Sequence, residues 1–128
     1  FYTGARKTGG GDRLSITSDI IRGHTDTIIL AHLLTQDSYG YQINKDIMRK
    51  TNNRFELKEA TLYSAFRRLE QAGLITSYWG NEDIGARRRY YAITPAGRRA
   101  YAENLRDWQL AKDTIDQLIS EEGKDHDR

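Results

Sequence analysis

The sequence predicts a mostly α-helical domain that carries one small antiparallel β-hairpin. Apolar residues recur at helical spacing in four segments of the chain. Two β-rich runs, LITSYW and RRRYYAIT, flank a link that contains two glycines. A Thr-Pro pair at the end of the second run is typical of the start of a helix. Together these observations give the order helix, helix, helix, hairpin, helix in a chain of 128 residues, the length of one domain.

Composition and periodicity divide the chain into four parts. Residues 1–17 are Gly-rich with little periodicity, and we expect a flexible or vector-derived arm there. Residues 18–94 are expected to form the domain of three helices and a hairpin. Residues 95–121 are expected to form a last helix, and residues 122–128 a tail.

The first two helices are predicted in the N-terminal half of the chain. The first covers residues 18–36, with Ser18 as its N-cap and apolar residues at helical spacing. The second covers residues 39–51. The Asp37-Ser38 pair ends the first helix and is suited to cap the second.

The segment between the second and third helices is short. Asn52-Asn53 marks a turn. Phe55 and Leu57 alternate with polar residues, which predicts one short strand. Lys58 stands directly before the third helix, and because its side chain accepts no hydrogen bond, this helix is expected to begin without a side-chain cap.

The third helix is predicted over residues 59–73 and is amphipathic. Leu62, Phe66 and Leu69 share its apolar face. Gly73 is a favourable C-terminal stop because glycine readily adopts a left-handed conformation. The outward face and its flanks carry mostly small or basic side chains: Ala60, Thr61, Tyr63, Ser64, Arg67, Arg68 and Gln71.

The hairpin is predicted between residues 74 and 94, where the two β-rich runs flank a long loop. Side chains alternate between the faces of a strand. Tyr91 and Ile93 therefore point to one face. Arg88 and Tyr90 point to the other face.

The last helix begins with Thr94 as its N-cap and Pro95 as its first residue. One apolar stripe runs along it: Tyr101, Leu105, Trp108, Ala111, Ile115 and Leu118. An apolar stripe of this size usually marks an interface. Either the same helix of a second subunit or the isoleucines of the first helix would cover it.

The charge of the chain is unevenly distributed. Its net charge of +2 decides little. Residues 60–101, however, carry seven Lys or Arg against three Asp or Glu, whereas residues 102–128 carry four against eight. A basic middle beside an acidic end suggests that the middle segment binds a polyanion.

Several classes of protein are excluded by what the sequence lacks. It contains no cysteine, which excludes disulfides and Cys-ligated metals. His24, His32 and His126 share no metal-binding spacing, and neither a nucleophile elbow nor a P-loop is present. No apolar run approaches the roughly 18–20 residues that span a bilayer, and no signal peptide is visible. We therefore expect a cytoplasmic protein that is not an enzyme, uses no metal or cofactor, and does not bind a membrane.

Three helices followed by a β-hairpin form the layout of a winged helix-turn-helix. In this fold the third helix enters the major groove of DNA, whose width admits a helix. The hairpin is the wing, and we expect Arg87, Arg88 and Arg89 to neutralise phosphates beside the duplex. The hydroxyls of Tyr63 and Tyr90 are also suited to donate to phosphate oxygens.

Two other interpretations stay open from these residues. A run of arginines is often a solvated surface, and Arg67 and Arg68 suit such a surface with an ion pair near Glu70. A winged fold can also be a protein-interaction module without sequence-specific DNA binding. The polar outward face of the third helix argues against that alternative, because a protein-binding face would favour apolar anchors.

Longer motifs give a specific resemblance. The run TLYSAFRRLEQAGLI covers the third helix and the start of the hairpin, GARRRYYAITPAG belongs to the wing, and a GY.I pattern lies in the second helix at Gly40, Tyr41 and Ile43. Over residues 21–119 or so, the sequence resembles the PadR family of bacterial transcriptional repressors. Within that family it is similar to the compact branch, with one helix after the wing, that includes a lactococcal multidrug-binding repressor. The resemblance implies a homodimer that binds a palindromic operator in double-stranded DNA and releases it when a planar aromatic drug enters.

The resemblance also implies roles for individual residues. DNA contact falls on the third helix and the wing: Thr61, Tyr63, Ser64, Arg67, Arg68, Arg87, Arg88 and Arg89. The drug-stacking role falls on Trp108, whose spacing also suits a core or interface anchor.

The expected surroundings of Trp108 complete the predicted sites. The ligand site is expected to include Leu105, Ala111, Lys112 and Asp26. Lys112 stands where the matched pattern has an acid, and Asp26 where it has a neutral residue, so the charge of the ligand stays open. The dimer contact is expected along the last helix: Tyr101, Leu105, Ile115, Leu118 and Ile119.

Overall fold

The computed structural model describes residues 21–80 and 87–121. The predicted class, mostly helical with a two-stranded antiparallel hairpin, is confirmed. A 3-10 turn precedes the first helix. The elements in chain order are the 3-10 turn Arg22–His24, α1 (Thr25–His32), α2 (Gly40–Lys50), α3 (Glu59–Gln71), β1 (Ile75–Trp79), β2 (Arg89–Ile93) and α4 (Pro95–Ile119).

Helix α1 ends earlier than the sequence predicted. The expected N-cap Ser18 and the arm before it lie outside the described residues. At the other end, α1 stops at His32, because the amide of Leu33 donates to the carbonyl of Leu30 at 3.0 Å and so tightens the last turn. The chain then turns with Leu33 buried in the core.

The prediction that Ser38 caps α2 is wrong. Tyr39 occupies the N-cap position, and no side chain caps this helix. Ser38 instead pairs with β2: its amide donates to the carbonyl of Tyr91 at 3.1 Å, and its carbonyl accepts from the Tyr91 amide at 2.8 Å. Ser38 is buried, so its backbone groups need partners away from water, and this pairing supplies them.

The predicted strand at Phe55 and Leu57 is also wrong. Both side chains are buried, but the segment is irregular. The amide group of Asn44 donates to the carbonyl of Leu57 and accepts from its N–H, both at 2.8 Å. The hydroxyl of Thr51 accepts from the amide of Phe55 at 3.1 Å. Side chains of α2 and its C-cap therefore satisfy a backbone that would otherwise need a neighbouring strand.

The predicted turn and helix stop are confirmed. Asn52 and Asn53 both have left-handed backbones, with φ of 55° and 64°. Gly73 has a φ of +78°, and the amide of Leu74 donates back to the carbonyl of Leu69 at 3.0 Å. This is the hydrogen bond of a Schellman motif, which ends α3 where the glycine allows the reversal.

The wing, which we define as β1 and β2 with Arg87 and Arg88, packs on α3 through its inner face. Strand pairing places Ser77 opposite Tyr91 and Trp79 opposite Arg89. We call the face with Ile75, Ser77, Trp79, Arg89 and Tyr91 the inner face, and the face with Thr76, Tyr78, Tyr90 and Ala92 the outer face. The inner-face Tyr91 stacks on Phe66 of α3 with ring centroids 3.8 Å apart, which joins the wing to the core.

Within the described residues, α1, α2, α3 and both strands contribute to one core of thirteen buried apolar side chains: Ile29, Leu30, Leu33, Ile43, Ile47, Phe55, Leu57, Leu62, Ala65, Phe66, Leu69, Ile75 and Tyr91. Helix α4 begins as predicted, with the hydroxyl of Thr94 accepting from the amide of Gly97 at 3.0 Å. Its first turns pack against this core through Ala100 and Tyr101. From residue 106 to residue 119, every side chain of α4 is exposed.

Candidate nucleic-acid interface

Helix α3 divides sharply into a buried and an exposed face. Leu62, Ala65, Phe66 and Leu69 are buried. The predicted DNA-contact residues all lie among the exposed ones: Thr61, Tyr63, Ser64, Arg67 and Arg68. Lys58 occupies the N-cap position before Glu59, and no side chain caps the helix, as predicted. The exposed face therefore offers hydroxyls and guanidiniums, the groups that hydrogen-bond to phosphates and base edges.

Tyr63 lies where α3 meets the start of α2. Its ring contacts Phe66 edge-on, with centroids 5.4 Å apart. A Cβ built on Gly40 would lie 2.6 Å from the Tyr63 hydroxyl, so the glycine leaves room for this tyrosine. The two helices thereby approach closely at the end of α3 that carries Thr61 and Ser64.

Arg68 and Asp26 were predicted for two different sites, and the structure brings them together. The guanidinium of Arg68 donates to Asp26 at 2.5 Å through Nη2 and at 3.4 Å through Nε. This hydrogen bond raises the pKa of Arg68. Both side chains remain partly accessible. The ion pair connects α1 to α3 and directs the Asp26 carboxylate toward the exposed face of α3.

The three consecutive arginines do not form one patch. Arg89 lies on the inner face, where its guanidinium is 5.5 Å from the ring centroid of Trp79, and Arg87 lies 5.1 Å from the same ring. Arg88 lies on the opposite side, 4.7 Å from the ring centroid of Tyr39. Because neighbouring residues on extended backbone alternate between faces, one run of charge supplies cations to both sides of the wing.

The outer face is an aromatic cluster that sequence reasoning did not identify. Tyr90 stacks on Tyr78 at 5.6 Å and contacts Tyr39 edge-on at 5.3 Å. The hydroxyl of Tyr78 donates to the carboxylate of Asp37 at 2.5 Å, which raises the pKa of Tyr78. The strand register, had it been predicted, would have placed Tyr78 opposite Tyr90. Tyr39 immediately precedes α2, so its contact with Tyr90 depends on how α2 packs against the wing.

The predicted ligand residues are spread along α4. Trp108 is partly exposed and contacts the ring of His24 edge-on, with centroids 4.9 Å apart. His24 was not predicted for this site, because its contact with Trp108 depends on how the residues before α1 pack on α4. Leu105 is half-buried, and Ala111 and Lys112 are exposed.

The predicted dimer residues fall into two groups. Tyr101 packs against the core of its own chain. The side chains near the end of α4 are much more exposed, with accessible fractions of 52% for Ile115 and 76% for both Leu118 and Ile119. Leu110, which the predicted stripe does not include, is 68% exposed on the other side of the helix.

Neither 21–80 nor 87–121 contains a helix that is long and apolar enough to cross a bilayer. The same ranges hold no group of three or more His, Asp or Glu side chains arranged to bind a metal ion.

The helix order, the polar recognition helix and the arginine-bearing wing define a winged-helix DNA-binding protein. The pattern of the transcriptional regulator PadR-like family matches residues 29–103, more than half of the chain. The chain belongs to this family, whose members are transcriptional regulators that bind DNA.

Solved structures of similar proteins have the same fold. A transcriptional regulator from Clostridium thermocellum is 50% identical with a TM-score of 0.74, covering 80% of this chain and 97% of that one. A PadR family transcription regulator from Clostridium difficile is 36% identical with a TM-score of 0.65, covering 76% and 99%. A transcriptional regulator of Mycobacterium tuberculosis is 35% identical over 88 residues, which cover 68% of this chain and 78% of the relative.

Proposed function

We propose that this protein is a ligand-responsive repressor that binds a palindromic operator as a homodimer and releases it when a planar aromatic ligand binds. The observation that carries the proposal is the division of α3, whose polar face is exposed along its length while its apolar face is buried. A surface helix that shows hydroxyls and guanidiniums to solvent, beside a wing with cations on both sides, suits a polyanionic groove.

The helix and the wing have different tasks in this proposal. Thr61, Ser64 and Arg67 enter the major groove on α3 and read base edges. The wing arginines and the tyrosine hydroxyls contact phosphates, which positions the helix without reading sequence.

The exposed end of α4 supports the homodimer. Ile115, Leu118 and Ile119 lie on the same side of the helix as Trp108, and a second copy of α4 would bury them. A two-fold dimer places two recognition helices on half-sites about one helical turn apart, roughly 34 Å.

Trp108 is proposed to stack on the ligand near the dyad, with His24 as its neighbour within the chain. Stacking on an indole gives affinity without requiring one ligand shape. The ligand acts by population shift: it favours a dimer in which the two α4 helices cross at a different angle and the recognition helices no longer match the half-sites.

Specific DNA binding is tested by fluorescence anisotropy with a labelled duplex from upstream of the protein's own gene and a scrambled duplex of equal length. We expect the upstream duplex to bind about 10³-fold tighter or more at physiological salt. We also expect log K to fall linearly with log salt, by about 0.9 per neutralised phosphate. Equal affinity for both duplexes would instead support the protein-interaction alternative.

Ligand binding is tested by titrating a panel of cationic, neutral and anionic flat aromatics against tryptophan fluorescence. The chain has two tryptophans, so Trp79→Phe leaves Trp108 as the reporter. We expect quenching in wild type and in Trp79→Phe, and ligand affinity at least about tenfold weaker in Trp108→Ala because the stacking surface is lost. A ligand that binds Trp108→Ala as tightly as wild type, or binds wild type without releasing the duplex, contradicts this part of the proposal.

A further inference from the structure

A chain of polar side chains joins the recognition helix to both strands of the wing. Glu70 lies in the last turn of α3, and its carboxylate accepts a hydrogen bond from the hydroxyl of Ser77 on β1 at 2.6 Å. The same Ser77 oxygen accepts from Nη2 of Arg89 on β2 at 2.9 Å. Nη2 of Arg89 also lies 3.8 Å from the carboxylate of Glu70. We call these three residues the brace.

The brace holds the Arg89 guanidinium in one place on the inner face. Ser77 and Glu70 contact it from the side of β1 and α3, and the ring of Trp79 lies 5.5 Å away. The side chain nevertheless remains 44% exposed. Arg89 is therefore both fixed and accessible, as a preorganised phosphate ligand needs to be.

Two effects of Glu70 on DNA binding oppose each other. A carboxylate near the DNA-facing surface repels phosphates, so its removal would tighten binding if it had no other effect. An arginine that is held in its binding conformation loses less rotamer freedom on binding, so removing its support would weaken binding. Because Ser77 on β1 and Glu70 on α3 both contact the Arg89 guanidinium of β2, its position depends on all three elements, and we expect the second effect to be larger.

We propose that Glu70 is a positioning residue for DNA binding, acting through Ser77 to fix the Arg89 guanidinium of the wing against the recognition helix. The proposal rests on the DNA-binding function proposed above for α3 and the wing. An acid in the recognition helix thereby strengthens the affinity of the protein for a polyanion.

The test measures the dissociation constant of the upstream duplex by anisotropy for three single variants. Glu70→Ala and Ser77→Ala are expected to weaken binding about three- to tenfold, because each removes one of the two groups that hold the Arg89 guanidinium in place. Glu70→Gln keeps an acceptor for the Ser77 hydroxyl and removes the negative charge, so its affinity should return to within about twofold of wild type or exceed it. Simple charge repulsion predicts that both Glu70 variants tighten binding.

Two controls separate positioning from a general structural effect. Glu59→Gln removes a carboxylate from the opposite end of the same helix and is expected to leave binding unchanged or tighter. In an Arg89→Ala background, Glu70→Ala should no longer weaken binding, because the side chain that it positions is gone. A loss of the same size in both backgrounds would overturn the inference.

The failure of this inference differs from the failure of the proposed function. If wild type binds the upstream duplex specifically while Glu70→Ala and Ser77→Ala bind as tightly or more tightly, the brace has no positioning role. If wild type does not distinguish the upstream duplex from the scrambled one, both proposals fall together.

Discussion

Replacing Gly97 by alanine is expected to destabilise the folded protein by about 3 kcal/mol. Gly97 lies in the first turn of α4, where the helix packs on the junction between α3 and the wing. A Cβ at this position would lie 2.2 Å from the carbonyl oxygen of Leu74 and 2.7 Å from Cγ1 of Ile93. The carbonyl oxygen is backbone and also accepts from the amide of Thr94 at 3.0 Å, so it cannot move without breaking the start of α4.

The direction of this effect is opposite to that of helix propensity. Alanine is favoured over glycine within a helix by up to about 1 kcal/mol, so an open site would become more stable. Gly23 offers that matched control, because a Cβ there would meet nothing within 4 Å. We expect Gly23→Ala to change the free energy of unfolding by less than about 0.5 kcal/mol.

The measurement is urea unfolding followed by circular dichroism at one protein concentration, since the stability of the proposed dimer would depend on concentration. A Gly97→Ala variant that unfolds at the same urea concentration as wild type would show that the contact between α4 and Leu74 tolerates an added methyl group.

The second large effect is expected when Arg88 and Arg89 are both replaced by alanine. We expect operator affinity to fall roughly 10- to 100-fold, because each of the two lost contacts contributes about 0.5–1.5 kcal/mol net of its exchange with solvent. The slope of log K against log salt should become less steep by about 2, since two phosphate contacts are lost. The loss should be similar for every duplex sequence, because phosphate contacts carry no sequence information.

A charge-matched control separates wing contacts from net charge. Arg99→Ala with Arg106→Ala also removes two cations, both from exposed positions on α4 opposite the apolar stripe. We expect this pair to change operator affinity less than about threefold, through the long-range field alone. Equal losses in the two double variants would mean that the wing arginines act by net charge and do not contact phosphates.

Elements whose energetics are local could be predicted from the sequence. The apolar period of α3 and the glycine after it placed that helix and its end, and the Schellman bond at Leu74 agrees. Thr94 and Pro95 placed the start of α4 to the residue. Each of these signals depends on a few neighbouring residues, whose conformational preferences the tertiary structure did not override.

The wrong predictions concern residues whose hydrogen-bond partners lie far away in the sequence. Ser38 was expected to cap a helix, but its backbone pairs with Tyr91 far along the chain. Phe55 and Leu57 alternate like a strand, yet Asn44, 13 residues before Leu57, satisfies the backbone there. Alternation of apolar and polar residues predicts which side chains are buried. It does not predict which groups will hydrogen-bond to the backbone N–H and C=O groups of the segment.

The candidate nucleic-acid interface also has features that follow from local sequence and features that depend on long-range contacts. The sequence alone determined that α3 is amphipathic, that its outward face is polar, and that the arginine run returns along a hairpin. Only the tertiary structure decided that Arg68 pairs with Asp26, 42 residues away, and that Glu70 reaches Arg89 through Ser77. The physical reason is that periodicity sets the face on which a side chain lies, whereas the packing of one element on another sets the partner that it meets.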